Sequence, residues 1–245
     1  MIETRALTKK FGSRTVLSGV NLAVRDGQTL VVLGRSGCGK SVVLKHLIGL
    51  LKPDSGQVLV DGEDISGLPE RRLTGVRRKI GMLFQSAALF DSMSVHGNLA
   101  FPLLEQGMRD RTEIEARIAE ALDMVDLTGE EKKMPADLSG GMRKRVGLAR
   151  TIVGRPRCIL YDEPTTGLDP ITSDSINHMI RRLQRRLGVT SIVVTHDMKT
   201  AFHCADQVAL LHEGRVHFEG TVDGLRSSKD PIITDFIEGR SGDSD

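Results

Sequence analysis

The sequence of 245 residues predicts an α/β fold in which short buried strands are organised around a phosphate-binding loop. The first observation is the run 34–41, which matches the pattern G-x-x-x-x-G-K-[ST] at every fixed position. The second is the apolar, β-branched run 28–33, which is typical of a buried strand. The third is a helix predicted over 42–48, with one apolar face. This succession of strand, glycine turn and helix start predicts a nucleoside triphosphate site.

Each part of the loop has a predicted role. Its backbone N–H groups would form an anion cradle at the start of a helix. Lys40 would reach the β- and γ-phosphates, and the Ser41 hydroxyl would ligate Mg²⁺. Cys38 would be a small filler, or alternatively a modifiable thiol that blocks nucleotide binding. The predicted nucleotide-binding residues of the loop are Gly34, Arg35, Ser36, Gly37, Cys38, Gly39, Lys40, Ser41 and Val42.

Composition disfavours several other classes of protein. A net charge of +2, one Tyr and no Trp give no support for nucleic-acid binding, so no nucleic-acid partner is expected. No apolar run approaches the 18 residues of a membrane span, and the first residues do not resemble a secretory signal. The three scattered cysteines lack metal-ligand spacing, which indicates a reducing cytoplasm.

The remaining elements follow in order. Strand patterns dominate the first part of the chain, whereas the pattern from about residue 95 to 154 is helical, with a possible capping box of Thr112 and Glu115. We therefore predict an α/β core at 1–94 and 155–240, a helical insertion at 95–154 and a flexible C-terminus at 241–245. Further strands are predicted at 2–7, 20–24, 57–60, 79–84, 158–161, 191–195, 207–211 and 215–218, and further helices at 113–125, 139–153 and 172–187.

Four polar residues that end predicted strands are the catalytic and metal-binding candidates. Asp162 would hold the Mg²⁺ shell, and Glu163 would orient and deprotonate the attacking water. Gln85 could contact both the metal ion and the water. His196 could hydrogen-bond the γ-phosphate. The acidic pair could instead be only a helix cap, and a lone histidine is more often structural than functional.

A second glycine turn, 138–142, opens a predicted helix and is a second candidate anion site. Its candidate residues are Ser139, Gly140 and Gly141. The turn lies in the helical insertion, which should be far from Lys40. A chain that carries two separate half-sites favours a head-to-tail homodimer, with two nucleotides held between the protomers.

These motifs and their order resemble those of the nucleotide-binding subunits of ABC transporters, over nearly the whole chain. The resemblance also includes the run Gly-Leu-Asp-Pro at 167–170. It implies an ATPase that uses ATP and Mg²⁺. The implied fold is a P-loop NTPase core, a mixed RecA-like sheet with an antiparallel β subdomain and an inserted α-helical signature subdomain. It further implies that Phe11 stacks on adenine, that Asp169 lies at the subunit interface and that His196 is the switch residue.

Three segments are similar to a narrower group, the ATPases of Mla-type phospholipid transporters, which work with MCE-domain lipid-binding proteins. These are 81–91, 138–145 and 230–236, although Met142 stands where the wider family more commonly has Gln. The resemblance implies transmembrane permease partners, lipid transport and a peripheral location on the cytoplasmic face of the inner membrane. Transport of another substrate, or a soluble role such as iron–sulfur cluster assembly, stays open. The apolar residues Ala87, Ala88, Leu89, Phe90, Met93 and Val95 would line a permease groove, or belong to the helical core.

Overall fold

The structure, a computed structural model, describes residues 2–240. Its strands form two sheets, and every strand except the short one at Glu63–Asp64 overlaps a predicted run. They are β1 (Ile2–Phe11), β2 (Arg14–Val24), β3 (Thr29–Leu33), β4 (Ser55–Val60), β5 (Glu63–Asp64), β6 (Ile80–Leu83), β7 (Cys158–Asp162), β8 (Thr190–Thr195), β9 (Gln207–His212) and β10 (Arg215–Gly220). The predicted 241–245 tail lies outside the described residues.

Helices cover both the core and the predicted insertion. They are α1 (Lys40–Leu47), α2 (Glu70–Lys79), α3 (Val95–Glu105), α4 (Arg111–Met124), α5 (Gly140–Ile152), α6 (Pro170–Leu187), α7 (Met198–Cys204), α8 (Val222–Arg226) and α9 (Pro231–Glu238), with a 3-10 turn at Pro135–Asp137. None of the helices in the described part of the chain is long and apolar enough to cross a membrane.

The sheet topology explains where the polar candidates meet. One sheet has the order β2-β1-β4-β5 and is antiparallel. The other has the order β10-β9-β3-β8-β7-β6 and is parallel except for β10. The predicted mixed sheet with an antiparallel β subdomain is therefore confirmed. Since parallel strands share the edge at which they end, the residues after β3, β6, β7 and β8 lie on one edge.

The central strand β3 links two hydrophobic clusters. Its successive side chains point to opposite faces of the sheet, so Val31 and Leu33 join one cluster while Leu30 and Val32 join the other. The first cluster includes the buried faces of α3, α4 and α5, and the second includes the antiparallel sheet. The helical insertion thus packs in a continuous core with the sheet, while its predicted boundary at 95–154 stays a prediction.

One local prediction is wrong, and one helix of the first part of the chain was not predicted. The N-cap of α4 is Asp110, whose carboxylate accepts hydrogen bonds from the backbone N–H groups of Thr112 and Glu113, so the predicted box of Thr112 and Glu115 does not form. An aspartate carboxylate outcompetes a hydroxyl two residues later because it also faces the positive end of the helix dipole. The helix α2 has no counterpart in the predicted elements, since only Leu73 and Val76 are buried on it.

Candidate functional site

A cleft of about 330 Å³ lies at the common edge where β3, β6, β7 and β8 end. It contains residues of the phosphate-binding loop together with three of the four polar candidates that end strands. The lining residues are Val16, Ser36, Gly37, Gly39, Lys40, Ser41, Val42, Gln85, Glu163, Thr166 and His196. The structure therefore brings together groups that are separated by up to 180 positions in the sequence.

The loop holds its lysine inside the protein. Lys40, the first residue of α1, is only 6% exposed. Its ammonium group donates to the backbone carbonyl oxygens of Gly34 (2.7 Å) and Arg35 (3.2 Å). It also lies 3.3 Å from Oε1 of Glu163. The preceding Gly39 has a φ of 108°, which a residue with a Cβ rarely adopts, and that Cβ would lie 2.8 Å from Leu17. The ammonium group of Lys40 is thus buried at the N-terminus of α1.

Cys38 packs beneath the loop rather than toward the cleft. A Cβ at Gly34 would lie 2.6 Å from the Cys38 Sγ atom and 2.6 Å from the Leu211 carbonyl oxygen, so the thiol fills the space that this glycine leaves. Burial raises the pKa of the Cys38 thiol, which disfavours the reactive thiolate. These contacts support the role of Cys38 as a filler and not that of a modifiable thiol.

Oxygen ligands suited to Mg²⁺ meet beside the loop. The Ser41 hydroxyl donates to Oδ1 of Asp162 at 2.7 Å, and the Gln85 side chain lines the same cleft. Burial is the main cause that raises the pKa of the Asp162 carboxyl. A hydroxyl, an amide and a carboxylate are the hard oxygen donors that Mg²⁺ prefers. A partly desolvated carboxylate is also one that a cation would stabilise, so these residues fit a magnesium ion.

Glu163 is the most heavily engaged carboxylate in the cleft. Besides the ion pair with Lys40, its Oε2 atom lies 2.9 Å from Nδ1 of His196. The same atom accepts hydrogen bonds from the hydroxyl groups of Thr166 and Thr195, both at 3.3 Å. The backbone of Glu163 has a φ of 47°, a strained conformation for a residue other than glycine. Strain of this kind is characteristic of functional sites and fixes the direction of the side chain.

Lys144 is a site residue that the sequence reasoning did not single out. This residue of α5 is 5% exposed, and its ammonium group donates to the backbone carbonyl oxygens of Gln85 and Glu163, the latter at 3.4 Å. Burial lowers the pKa of the Lys144 side chain, which the charges of Asp162 and Glu163 oppose. The signal in the sequence was a lysine among the buried positions of a helix. Val16 and Thr166, which line the cleft, were not predicted either.

The other predicted nucleotide-binding residues do not line this cleft. Ser139 is the N-cap of α5, and its hydroxyl accepts from the backbone N–H of Met142 at 3.2 Å. Asp169 is the N-cap of α6, and hydrogen bonds from the Thr172 hydroxyl first, and then from backbone N–H groups, hold the pKa of the Asp169 carboxyl below its ordinary value. Phe11, at the end of β1, is 48% exposed.

The remaining two glycines of the second turn contact the segment around Asp169. A Cβ at Gly140 would lie 3.6 Å from Leu168, and one at Gly141 would lie 2.7 Å from the Thr172 methyl group. The turn 138–142 and the start of α6 are therefore in contact, and neither lines the cleft of this chain.

A groove of about 520 Å³ lies beside Gln85, between β6 and the helical insertion. Ala88 and Phe90 line it, with Phe90 packed edge-on against Phe101 at 5.0 Å between ring centroids. Arg150 donates to the carbonyl oxygen of Ala88 at 2.8 Å, which fixes the segment.

The other four apolar residues do not line the groove. Three of them meet the alternative expectation of a place in the core: Ala87 and Val95 are buried, and Leu89 packs against the core. Met93 lies against the helix α3 near Gly97.

The comparisons with known proteins agree with this geometry. The family model described as "ABC transporter" matches residues 17–166. The chain is 41% identical to the probable ribonucleotide transport ATP-binding protein mkl of Mycobacterium leprae, over 98% of this chain and 69% of that protein. It is 41% identical to the intermembrane phospholipid transport system ATP-binding protein MlaF of Haemophilus influenzae, over 98% of this chain and 91% of that protein.

A third relative and a solved structure extend the comparison. The methionine import ATP-binding protein MetN 1 of Yersinia pestis is 42% identical, over 97% of this chain and 71% of that protein. The dimeric, post-hydrolysis structure of the ATP-binding cassette MJ0796 with ADP and Pi has a TM-score of 0.82 and 33% identity, over 91% of this chain and 99% of that one. The fold, the cleft and these relatives together show that the chain is an ATPase and belongs to the ABC transporter family.

Proposed function

We propose that the chain is the ATP-hydrolysing subunit of a membrane transporter that moves phospholipid, and that it works as a homodimer beneath permease subunits. The observation that carries the hydrolytic part is the convergence of Lys40, Asp162, Glu163 and His196 at one sheet edge. The loop binds the phosphates through its backbone N–H groups and Lys40, and Phe11 stacks on the adenine ring. The exposed ring of Phe11 supports that assignment.

The roles within the cleft follow from the chemistry of each group. Glu163 accepts the proton of the attacking water, and His196 donates a hydrogen bond to the γ-phosphate. Ser41, Gln85 and Asp162 hold Mg²⁺, which neutralises phosphate charge when it is bound. Lys40 and His196 have to exchange their contacts with Glu163 for contacts with the nucleotide before Glu163 can act as a base.

The dimer follows from the separation of the two half-sites. Ser139, Gly140 and Gly141 are outside the cleft of their own chain and have exposed surface. In a two-fold arrangement each turn contacts the γ-phosphate bound by Lys40 of the other protomer, and Asp169 lies at the interface. The dimeric assembly of the similar cassette MJ0796 supports this arrangement.

A mixed dimer tests it. With Lys40→Ala in one protomer and Ser139→Ala in the other, both changes fall in the same shared site and the second site stays intact. With both changes in one protomer, each shared site carries one defect. We expect about half of the wild-type turnover in the first dimer and almost none in the second. The reverse ranking would contradict the shared sites.

The groove beside Gln85 is the proposed docking site of the permease, on the cytoplasmic face of the inner membrane. Its apolar lining and its position between the cleft and the helical insertion would let nucleotide-driven movement reach a partner helix. Phe90→Glu or Asp91→Lys should release the permease while ATP binding is retained. Leu50→Glu, at an apolar residue of similar exposure outside the groove, is the control and should leave the complex assembled. Complete assembly of the Phe90→Glu complex would contradict the docking site.

The phospholipid cargo rests on similarity to MlaF over nearly the whole of both proteins. Within the complex we further propose an MCE-domain lipid-binding protein as a partner. The test is to purify the chain with its membrane partners and to identify the bound molecules by mass spectrometry. Enrichment of a phospholipid and an MCE-domain protein supports the proposal. Bound methionine or ribonucleotide would favour the activities that the other relatives are named for, and a soluble partner set would favour a role such as iron–sulfur assembly.

A further inference from the structure

Three side chains that could ligate a metal ion lie together on the surface, away from the nucleotide cleft. Asp174 and His178 occupy successive turns of α6, and His203 lies near the end of α7. One ligand atom from each lies within 4.8 Å of the other two. We propose that these three residues form a binding site for a divalent transition-metal ion of the Zn²⁺ type.

The distances within the cluster favour a shared cation over hydrogen bonds. Asp174 lies between the rings, with Oδ2 3.4 Å from Nε2 of His178 and Oδ1 3.5 Å from Nε2 of His203. N–H···O hydrogen bonds are about 2.7–3.2 Å long, so both separations exceed that range. Bonds of about 2.0–2.1 Å to a tetrahedral Zn²⁺ ion place neighbouring ligand atoms about 3.4 Å apart. Each imidazole thus has the spacing of a fellow ligand from one carboxylate oxygen, His178 from Oδ2 and His203 from Oδ1.

The orientation of the His203 ring gives a second reason. Its Nδ1 atom lies 2.9 Å from the backbone carbonyl oxygen of Lys199. A carbonyl oxygen only accepts, so Nδ1 carries a proton, and Nε2 is the ring nitrogen that faces Asp174 and can serve as the ligand atom. A backbone carbonyl on the opposite nitrogen is also the usual outer-shell support of a metal-binding histidine.

The two helices that carry the ligands are held together by a buried contact. The Cys204 thiol donates to the backbone carbonyl oxygen of Asn177 at 3.5 Å, and both residues are buried. Arg181 of α6 bridges to Asp206 just after α7 at 2.7 Å. These neighbours of His178 and His203 fix the backbone positions of the ligands. The three ligand side chains are themselves exposed, so an ion can enter and water can fill a fourth position.

The ligand set indicates which ion fits. Two imidazoles and one carboxylate suit Zn²⁺ and its neighbours, whereas Mg²⁺ prefers oxygen ligands and would not compete. An ion here would fasten α7, which begins next to His196, to α6, which begins next to Asp169. Binding should therefore raise the thermal unfolding temperature of the chain.

The test is a Zn²⁺ titration of the full chain by calorimetry, without nucleotide and with millimolar Mg²⁺, and the visible spectrum of bound Co²⁺. We expect one equivalent per chain and a rise in unfolding temperature. His178→Ala, His203→Ala and Asp174→Asn should each weaken binding at least ~10-fold, the lower end of what loss of an outer-shell partner costs. His96→Ala is the matched control, because His96 pairs with Glu115 at 3.0 Å but, among residues 2–240, belongs to no group of three potential metal ligands.

Two outcomes would overturn the site. The first is the absence of stoichiometric binding to the wild-type chain. The second is binding that survives all three variants, which would place the ion elsewhere, such as at His196. All three ligands are exposed, so circular dichroism should show folded variants, and ATP hydrolysis without added Zn²⁺ should match the wild type.

Discussion

The Lys144→Met variant tests whether a buried ammonium group couples the helical insertion to the nucleotide cleft. Methionine can fill the space of the lysine stem, so the change mainly removes the charge and the donors. The partly buried hydrogen bond to the backbone carbonyl of Gln85 then loses its charged donor, a loss of about 1–3 kcal/mol. The 3.4 Å contact with the Glu163 carbonyl is long and contributes little.

Removal of the buried charge of Lys144 offsets part of this loss of stability. Burial lowers the pKa of the ammonium group, so the folded chain holds it at a cost that methionine does not have. We therefore expect the free energy of unfolding to fall by about 1–2 kcal/mol. Freed from its anchor, Gln85 should lose alignment, and turnover should fall about tenfold, which corresponds to about 1.4 kcal/mol in the barrier.

The assays are urea unfolding and steady-state ATP hydrolysis on folded protein. Because Lys144 does not line the cleft, kcat should fall while KM for ATP changes little. Lys144→Arg keeps a charged donor and should recover part of the turnover, and Lys132→Met, at an exposed lysine, should behave as wild type. A stable, folded Lys144→Met chain with wild-type kcat would refute the coupling.

Three further outcomes are expected in the cleft and beside it. Glu163→Gln should lower ATP turnover at least ~100-fold while equilibrium binding of ATP persists, and near-normal turnover would move the base elsewhere. The raised pKa of Asp162 means that the folded chain binds this proton more tightly than the unfolded chain. Without nucleotide, the free energy of unfolding should therefore fall as the pH rises from 3.8 through the raised pKa of Asp162. Asp162→Asn should remove the part of this fall that comes from Asp162. Phe11→Ala should weaken ATP binding, measured by calorimetry, by ~1–3 kcal/mol, which is the contribution of a stacked base, whereas Phe11→Tyr should keep the wild-type affinity. Equal affinities of the Phe11→Ala and wild-type chains for ATP would contradict stacking.

The sequence contained enough information for the parallel core and the position of the cleft. Glycine spacing in the loop and apolar runs before Asp162 and His196 are local signals, and parallel strands bring their ends together without further information. The helix α2 escaped prediction because its run of charged residues has only two buried apolar positions. Its place is decided by packing against the sheet, which sequence periodicity does not contain.

Contacts between residues far apart in the chain were the part of the site that could least be predicted from the sequence. The ion pair of Lys40 with Glu163 and the bridge from Lys144 depend on side-chain directions in the folded chain. The apolar run 87–95 offered both a groove and the core, and its apolar character alone did not separate Ala88 and Phe90, which line the groove, from the buried Ala87.

The carboxylate of Glu163 competes with a phosphate ligand for the ammonium group of Lys40. With no nucleotide, the lysine already has a carboxylate neighbour at 3.3 Å, and a ligand must displace it. The apparent affinity of the loop for any phosphate ligand is therefore lower than the affinity that a loop without this ion pair would have. Ligands of high charge and several phosphate groups can offset the reduction, whereas a single phosphate has fewer contacts with which to do so. We expect the loop to discriminate by phosphate number before any contact with adenine is made.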